Sequence, residues 1–155
     1  MSLIAVSSHG RNFSYFQDFL LNTSRVLVAE DNDALRARLV RILDREFRVV
    51  GAVANGDELV ASVLSMAPDA VVSELFTSQL DGISAHIALK ELNDKTPFVF
   101  VSDWHSVHTY LERLPAAYVH RFDIPLCLNP AVRAAVAGEP YLSTQYSKHN
   151  RREPS

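Results

Sequence analysis

From residue 25 onward, short apolar runs alternate with segments in which apolar residues recur every three or four positions. The runs predict five strands, at residues 26–29, 47–54, 70–73, 98–101 and 117–120. The spaced positions predict the helices between them. Strands that alternate with helices usually pair in parallel, so we expect an α/β fold. Its doubly wound five-stranded parallel sheet would carry helices on both faces.

Two helical segments near the end of the pattern are short. Residues 107–114 predict a helix before the fifth strand. Asn129 followed by Pro130 is typical of a helix start, because the asparagine caps the first turn and the proline needs no amide hydrogen there. The last helix is therefore predicted to run from that point to about residue 137.

The regular pattern occupies residues 25–143 and predicts one domain. Residues 1–24 precede it, and three interpretations stay open: a short docked helix, a poorly ordered extension, or sequence from an upstream start. Residues 144–155 form a polar tail. Its basic residues are more typical of a solvated tail than of a DNA contact.

The composition is that of an ordinary globular domain, with 48% hydrophobic and 21% charged residues. The net charge of −3 argues against a general nucleic-acid-binding surface. No apolar stretch approaches the roughly 20 residues that a membrane-spanning helix needs. The single cysteine, Cys127, lies in an apolar run and is expected in the core. A lone cysteine suits a reducing cytosol, so we expect a cytoplasmic protein.

Polar residues follow four of the predicted strands. Ligand sites of parallel sheets lie beyond the carboxyl ends of the strands, so these side chains are expected to converge. They are Glu30, Asp31, Glu74, Ser102 and Arg121.

Three of these residues are carboxylates that would repel one another, which a divalent cation would relieve. Mg²⁺ prefers oxygen ligands and needs only one or two protein carboxylates. Glu30, Asp31 and Glu74 are thus candidate Mg²⁺ ligands. The alternative is that Asp31 only caps the next helix and Glu30 is a solvated loop residue. The placement of all three at strand ends favours the metal site.

The other two residues have similar alternatives. The hydroxyl of Ser102 could donate to a phosphoryl oxygen, or it could cap the following turn. Arg121 could pair with Glu74, or it could be an ordinary surface cation.

Five segments resemble, in order, the receiver domain of response regulators, the CheY-like module of two-component phosphorelay systems. Residues 25–31 resemble its first strand and acidic pair, and residues 68–82 its phosphoacceptor strand with the Asp-Gly that follows. Residues 97–102 and 117–121 resemble its fourth and fifth strands. Residues 131–143 resemble the final helix and exit of the subclass that carries a LuxR-type helix-turn-helix output.

The resemblance implies a flavodoxin-like fold and a set of roles. In the family, the acidic pair holds Mg²⁺ and an aspartate accepts the phosphoryl group. A hydroxyl and a lysine then read that group, and an aromatic ring swings inward. By position, the acidic pair, phosphoacceptor, switch hydroxyl, cation and switch aromatic fall on Glu30, Asp31, Glu74, Ser102, Arg121 and Tyr118.

Several residues that differ from the family pattern lie at this site. Glu74 replaces the phosphoacceptor aspartate, and its extra methylene moves the carboxylate by roughly 1 Å, which can cost about a hundredfold in rate. Arg121 replaces the lysine, which is not a conservative change at a tight site. Asp103 adds a negative charge that would oppose a phosphoryl anion, and Ser78 stands where a proline is common.

These departures favour an atypical receiver that is not an enzyme. We expect it to be phosphorylation-independent and to act through protein–protein interaction, with Glu74 reaching Arg121 or Ser102 to hold a fixed arrangement. A Mg²⁺-dependent phosphoacceptor receiver is the first alternative. The second is the regulatory half of a LuxR-type transcription factor whose DNA-binding domain is absent from this chain.

Receivers generally signal through the face formed by the fourth helix, the fifth strand and the last helix. We expect a protein partner or a second copy to bind there, near Tyr110, Tyr118 and Val132. A histidine kinase is a further possible partner, whereas a membrane and direct DNA binding by this chain are not expected. Residues 102–121 are about one helical turn shorter than usual, which predicts a truncated fourth helix. Pro130 predicts that the last helix starts late or is kinked.

Overall fold

The computed structural model describes residues 23–77, 79, 81–103 and 116–143. Five parallel strands form one sheet in the order β2-β1-β3-β4-β5. They are β1 Arg25–Ala29, β2 Arg48–Val53, β3 Ala70–Glu74, β4 Phe98–Ser102 and β5 Ala117–His120. The prediction of a flavodoxin-like, five-stranded parallel sheet is confirmed.

Helices connect the first four strands, and the described helices lie on both faces of the sheet. The described helices are α1 Asp33–Leu43, α2 Gly56–Met66, α3 Gly82–Glu91 and α4 Ile124–Val136. A short 3₁₀ turn, Arg121–Asp123, joins β5 to α4. Residues 107–114, for which the sequence predicts a helix, lie outside the described residues, as do nearly all of residues 1–24 and 144–155.

Side-chain caps begin three of the helices. Asn32 accepts a hydrogen bond from the amide of Leu35 at the start of α1, so the asparagine, not Asp31, is the cap. Asn55 does the same for α2. Asp81 accepts a hydrogen bond from the amide of Ser84 and begins α3, directly after the loop that follows β3. Each cap satisfies an amide that the helix itself leaves unpaired.

The predicted start of the last helix is wrong. The helix begins at Ile124, and Pro130 lies inside it. Proline removes one helical hydrogen bond. That loss is outweighed because the helix buries an apolar face on both sides of the proline, formed by Ile124, Cys127, Leu128, Ala131, Val132 and Ala135. Burial of this face decides the start, against the local capping signal at Asn129.

Each face of the sheet has its own hydrophobic core. Val26 and Val28 point to the side covered by α1 and α4, whereas Leu27 and Ala29 point to the side covered by α2 and α3. This alternation is the two-residue period of a strand that is buried on both faces. Cys127 is buried in the first core, which confirms the prediction that it is a core residue.

Two residues expected near the signalling face are not available to a partner. Tyr118 and Val132 are both fully buried, one in each core. Tyr110, the third, lies outside the described residues. Within the described part of the chain, no helix combines the length and the apolar character needed to cross a membrane.

Candidate functional site

The carboxyl edge of the sheet brings the predicted polar residues together. Glu74 and Ser102 are the last residues of β3 and β4, which pair directly. Glu30 directly follows β1, and Arg121 directly follows β5. Their convergence follows from parallel pairing, because every strand then ends at the same edge.

Glu74 forms the centre of the cluster, and its side chain is only 2% exposed. Its Oε2 accepts a hydrogen bond from Nη2 of Arg121 at 2.9 Å, and its Oε1 accepts from the amide of Leu75 at 3.1 Å. The Ser102 side chain also hydrogen-bonds this carboxylate. Burial raises the pKa of Glu74 above its ordinary value, although the charge of Arg121 and these hydrogen bonds act in the opposite direction.

Arg121 makes a one-point contact, not a forked one. Only Nη2 reaches the Glu74 carboxylate, and Nε is buried with no hydrogen-bond partner among the described residues. The Arg121 side chain is 39% exposed, so water reaches part of the guanidinium. The pair is therefore asymmetric, with a buried anion and a cation at the surface.

Glu30 lies beside this pair and is 1% exposed. Its Oε1 accepts from the amide of Asn32 at 2.9 Å, and the guanidinium of Arg36 donates to its backbone carbonyl oxygen at 2.8 Å. Burial raises the pKa of the Glu30 carboxyl to about 7, and the nearby charges of Glu74 and Asp31 add to the effect. A hydrogen bond with the Thr77 side chain lowers the pKa of Asp31, so the two neighbouring carboxyls shift in opposite directions.

The second oxygen of Glu30 bears on the predicted Mg²⁺ site. Oε2 is buried, and no donor in the described part of the chain reaches it. Such an oxygen suits a proton, a water molecule or a cation. The Asp31 carboxyl lies within hydrogen-bonding distance of the Glu30 carboxyl, so both could contact the same ion. Glu30 and Asp31 therefore fit a hydrated Mg²⁺, which would supply positive charge for an incoming phosphoryl group.

Glu74 fits that site less well, because its carboxylate is already engaged by Arg121. Among the described residues, no group of three His, Cys, Asp or Glu side chains is arranged to hold a metal ion. A pair of carboxylates with several waters is still sufficient for Mg²⁺. The three-carboxylate ligand set stays a prediction.

The Asp-Gly pair after β3 has a steric role that sequence reasoning missed. A Cβ on Gly82 would lie 2.3 Å from the carbonyl oxygen of Glu74 and 2.5 Å from Oγ of Ser73. That hydroxyl donates to the same carbonyl oxygen at 2.8 Å. Only glycine lets α3 begin this close to the end of β3. The available signal was a glycine at the first position of a helix, directly after the loop that follows β3.

Tyr118, the predicted switch aromatic, has its ring inside the α2–α3 core. Its hydroxyl donates to the carbonyl oxygen of Ser102 at 2.8 Å. Ser102 thus contacts Tyr118 through its backbone and Glu74 through its side chain. The geometry joins three of the predicted residues in one hydrogen-bonded series.

Three other positions complete the description. His120 was missed because it reads as the end of a strand. It is 6% exposed, its Nδ1 accepts from the amide of Phe122, and its ring stacks on the exposed ring of Phe122 at 5.3 Å. Asp103 is exposed to solvent. Ser78 lies outside the described residues.

Comparisons with known proteins agree with this geometry. The chain is 29% identical over 126 residues to the transcriptional regulatory protein LiaR of Bacillus subtilis, which is 78% of this chain and 60% of that protein. It is 39% identical over 80 residues to a protein-glutamate methylesterase/protein-glutamine glutaminase of Anaeromyxobacter dehalogenans. That match covers 50% of this chain and only 23% of the enzyme.

The fold is shared with solved receiver structures. A LuxR-family two-component response regulator from Aurantimonas matches with a TM-score of 0.75 and 22% identity, over 84% of this chain and 99% of that one. The family model for the response regulator receiver domain matches residues 26–122. Because this range is more than half of the sequence and contains the whole edge cluster, the chain belongs to the response regulator receiver domain family.

Proposed function

We propose that this receiver domain signals by protein–protein interaction without phosphorylation of Glu74. The observation that carries the proposal is the contact of 2.9 Å between Nη2 of Arg121 and Oε2 of Glu74, with the glutamate 2% exposed. The guanidinium of Arg121 thus binds the carboxylate that would otherwise attack a phosphoryl donor.

The engagement of both carboxylate oxygens supports this proposal. Oε2 is bound by Arg121 and Oε1 by the amide of Leu75. Attack on phosphorus needs a free oxygen in line with the leaving group, and displacement by about 1 Å costs on the order of a hundredfold in rate. Attack by Oε2 would also require its present hydrogen bond from Arg121 to break.

The contacts of Ser102 support a fixed signalling state. By the family resemblance, Ser102 and the cation at position 121 read the phosphoryl group. Here they contact the Glu74 carboxylate instead. The carbonyl oxygen of Ser102 also accepts a hydrogen bond from the hydroxyl of Tyr118. We infer that the Glu74 carboxylate substitutes for the phosphoryl anion and holds Tyr118 inside.

The binding partner in this proposal is a cytoplasmic protein. A second copy, a downstream partner or a histidine kinase would bind the face that includes the last helix. Phe122 and Leu126 are 81% and 83% exposed at the start of that helix, so they supply apolar surface. The contribution of the fourth-helix region lies outside the described residues.

A phosphate-analogue titration tests the proposal. Beryllofluoride would be added in the presence of Mg²⁺, with the fluorescence of Trp104, the single tryptophan, as the optical signal and calorimetry as the direct measure. We expect no saturable response to beryllofluoride. A receiver with Asp and Lys at the two positions serves as the positive control. A saturable response from this protein would overturn the proposal.

A Mg²⁺-dependent phosphoacceptor is the second candidate, and the buried Oε2 of Glu30 favours it. An unpartnered carboxylate oxygen beside Asp31 suits a cation. A calorimetric titration with Mg²⁺ alone tests the metal site. It compares the unmodified protein with the Glu30→Gln variant. Heat of binding that the substitution removes, with no response to beryllofluoride, means that the metal site persists without phosphoryl chemistry.

A regulatory half of a LuxR-type transcription factor is the third candidate. The match to LiaR, which is named a transcriptional regulatory protein, favours it, and the chain spans 60% of that protein. The length of the native gene product decides this case. A product that continues into a helix-turn-helix domain would support it, and one that ends with this sequence would remove it.

A further inference from the structure

A cavity lies at the amino edge of the sheet, the edge opposite the Glu74 site. It is bounded by α3, by the segments that lead into β4 and β5, and by the end of α4, and its volume is about 620 Å³. Phe98, which lines it, and Ser102 are the first and last residues of β4, so the two edges are about 13 Å apart. The cavity is thus separate from the Glu74 site. Its volume is typical of small-molecule sites, which measure about 300–1,000 Å³.

Small residues leave this space open. Ala116, Ala117 and Ala135 line the cavity on the side of β5 and α4. Gly138 also lines it, and a Cβ on Gly138 would meet nothing within 4 Å. Its φ of +74° favours glycine, so the chain turns after α4 without placing a side chain at the cavity. Together with the ring of Phe98, these residues give apolar walls that suit an apolar ligand.

His86 brings an unsatisfied polar group to the cavity wall. The residue is 5% exposed, and neither ring nitrogen has a hydrogen-bond partner among the described residues. A buried polar group without a partner is costly, so a bound water molecule, ion or ligand is its usual explanation. Burial lowers the pKa of His86 to about 4, with a smaller contribution from Lys90. The ring is therefore neutral at neutral pH and has one N–H to donate.

Lys90 supplies a positive charge beside this ring. It follows His86 by four residues on α3, which makes the two side chains neighbours on the helix surface, and both line the cavity. Lys90 forms no ion pair within the described part of the chain. Two carboxylates also line the cavity: Asp94 accepts from the amide of Thr96 at 2.8 Å, and Glu139 is exposed to solvent. The free cation and the free N–H thus lie together, on α3.

We propose that this cavity binds a small carboxylic acid with an aromatic body. The carboxylate accepts hydrogen bonds from the ammonium group of Lys90 and from the N–H of His86, and the aromatic body packs against Phe98 and the alanine side chains. Both ring nitrogens are buried, so a small turn of the His86 ring about its Cβ–Cγ bond, a torsion with a broad range in histidine, presents the N–H to the ligand. The inference goes beyond the proposed function and uses no residue of the Glu74 site.

An NMR titration of the full chain with phenylacetate tests the proposal. We expect saturable shifts at the amides of Phe98, Ala117 and Gly138 and none at Glu74 or Ser102, with a dissociation constant in the millimolar range for a fragment of this size. Phenylacetamide has the same shape without the charge, so it should bind about tenfold more weakly. Equal affinity for the two compounds would contradict carboxylate recognition. The absence of saturable shifts with phenylacetate would overturn the proposal.

Two substitutions test the polar contacts. His86→Phe keeps a ring beside Phe98 and removes the N–H, whereas Lys90→Met keeps most of the side chain and removes the charge. Each should weaken phenylacetate binding by about tenfold, because each removes a hydrogen bond to a charged group. Arg38→Met is the control, since Arg38 is an exposed residue of α1 and its loss changes the net charge equally. Unchanged affinity in either test variant, or an equal loss in the control, would overturn the assigned contacts.

A filled cavity gives a test that does not depend on the polar residues. Ala116→Leu places a larger side chain in the cavity and should abolish the phenylacetate shifts. Ala134→Leu is the matched control, because Ala134 lies on α4 outside the described lining, and this variant should bind normally. Equal binding by the two variants, both folded by circular dichroism, would mean that the ligand lies elsewhere. These measurements use no phosphate analogue, so their failure and that of the proposed function are distinguishable.

Discussion

The carbonyl oxygen of Glu74 lies 2.3 Å from the position that a Cβ on Gly82 would occupy. The first residue of α3 is thus pressed against the last residue of β3, and the hydroxyl of Ser73 fills the same space. The two backbones can approach this closely because position 82 has no side chain. The backbone that carries Glu74 is consequently placed by a glycine on the following helix.

We expect Gly82→Ala to lower the free energy of unfolding by about 2 kcal/mol, because a Cβ there meets backbone and a buried hydroxyl. Urea unfolding measures it. Gly56→Ala is the matched control, since Gly56 is also the first residue of a helix and its Cβ would meet nothing closer than 4.0 Å. The control should be neutral or slightly stabilising. Equal effects of the two substitutions would contradict the steric explanation.

The Arg121–Glu74 ion pair should contribute more to stability than a surface pair. Arg121→Met would leave a buried carboxylate without its cation, and we expect a loss of roughly 1–3 kcal/mol. Arg133→Met is the control, because Arg133 and its partner Glu46 are 54% and 35% exposed, and about 0–1 kcal/mol is expected.

A double-mutant cycle isolates the pair itself. Arg121→Met should cost much less in a Glu74→Gln background, since the uncharged amide does not need a cation. The coupling energy from urea unfolding should reach about 1 kcal/mol or more. A coupling energy near zero would mean that the contact does not hold the site together, and the proposed function would lose its basis.

His86 should make the protein less stable in acid. It is 5% exposed, and neither ring nitrogen has a hydrogen-bond partner within the described structure. Burial lowers its pKa from 6.5 to about 4, with a smaller contribution from Lys90. Between these values the unfolded chain binds a proton that the folded protein excludes, so the free energy of unfolding falls as the pH falls from 6.5 to 4.

His86→Phe tests this dependence, because the ring already packs against Phe98 at 4.7 Å. The difference in unfolding free energy between this variant and the unmodified protein should grow by about 3 kcal/mol from pH 7 to pH 4. Measuring the difference cancels the titration of other groups. If the difference does not change with pH, His86 is protonated as easily in the folded protein as in the unfolded chain.

Restoring the family residues should restore phosphoryl chemistry. Glu74→Asp shortens the side chain by one methylene, and Arg121→Lys replaces the planar guanidinium with a compact ammonium. We expect the double variant to bind beryllofluoride in Mg²⁺ by calorimetry and either single variant to bind more weakly. No binding by the double variant, if it is folded by circular dichroism, would place the block elsewhere, with the exposed carboxylate of Asp103 as the next candidate.

Local patterns predicted most of the fold. All five strands, α1, α2 and α3 occur where apolar spacing predicts them, because periodicity reports which face of each element is buried. The predicted start of α4 was wrong. The capping signal at Asn129 is local, whereas the burial that overrides it depends on the tertiary structure. Asp81 was known only as part of a spacing motif and proved to be a helix cap.

The sequence by itself determined the sheet, the edge where the site forms and the substitution at position 74. These depend on hydrophobic periodicity and on the rule that parallel strands end at one edge. Only the tertiary structure decided which partners meet there. Arg121 binds Glu74 across 47 residues, and Ser143 binds His120 across 23. Such contacts depend on strand register and on what the surrounding core leaves room for, and neither is encoded in a local pattern.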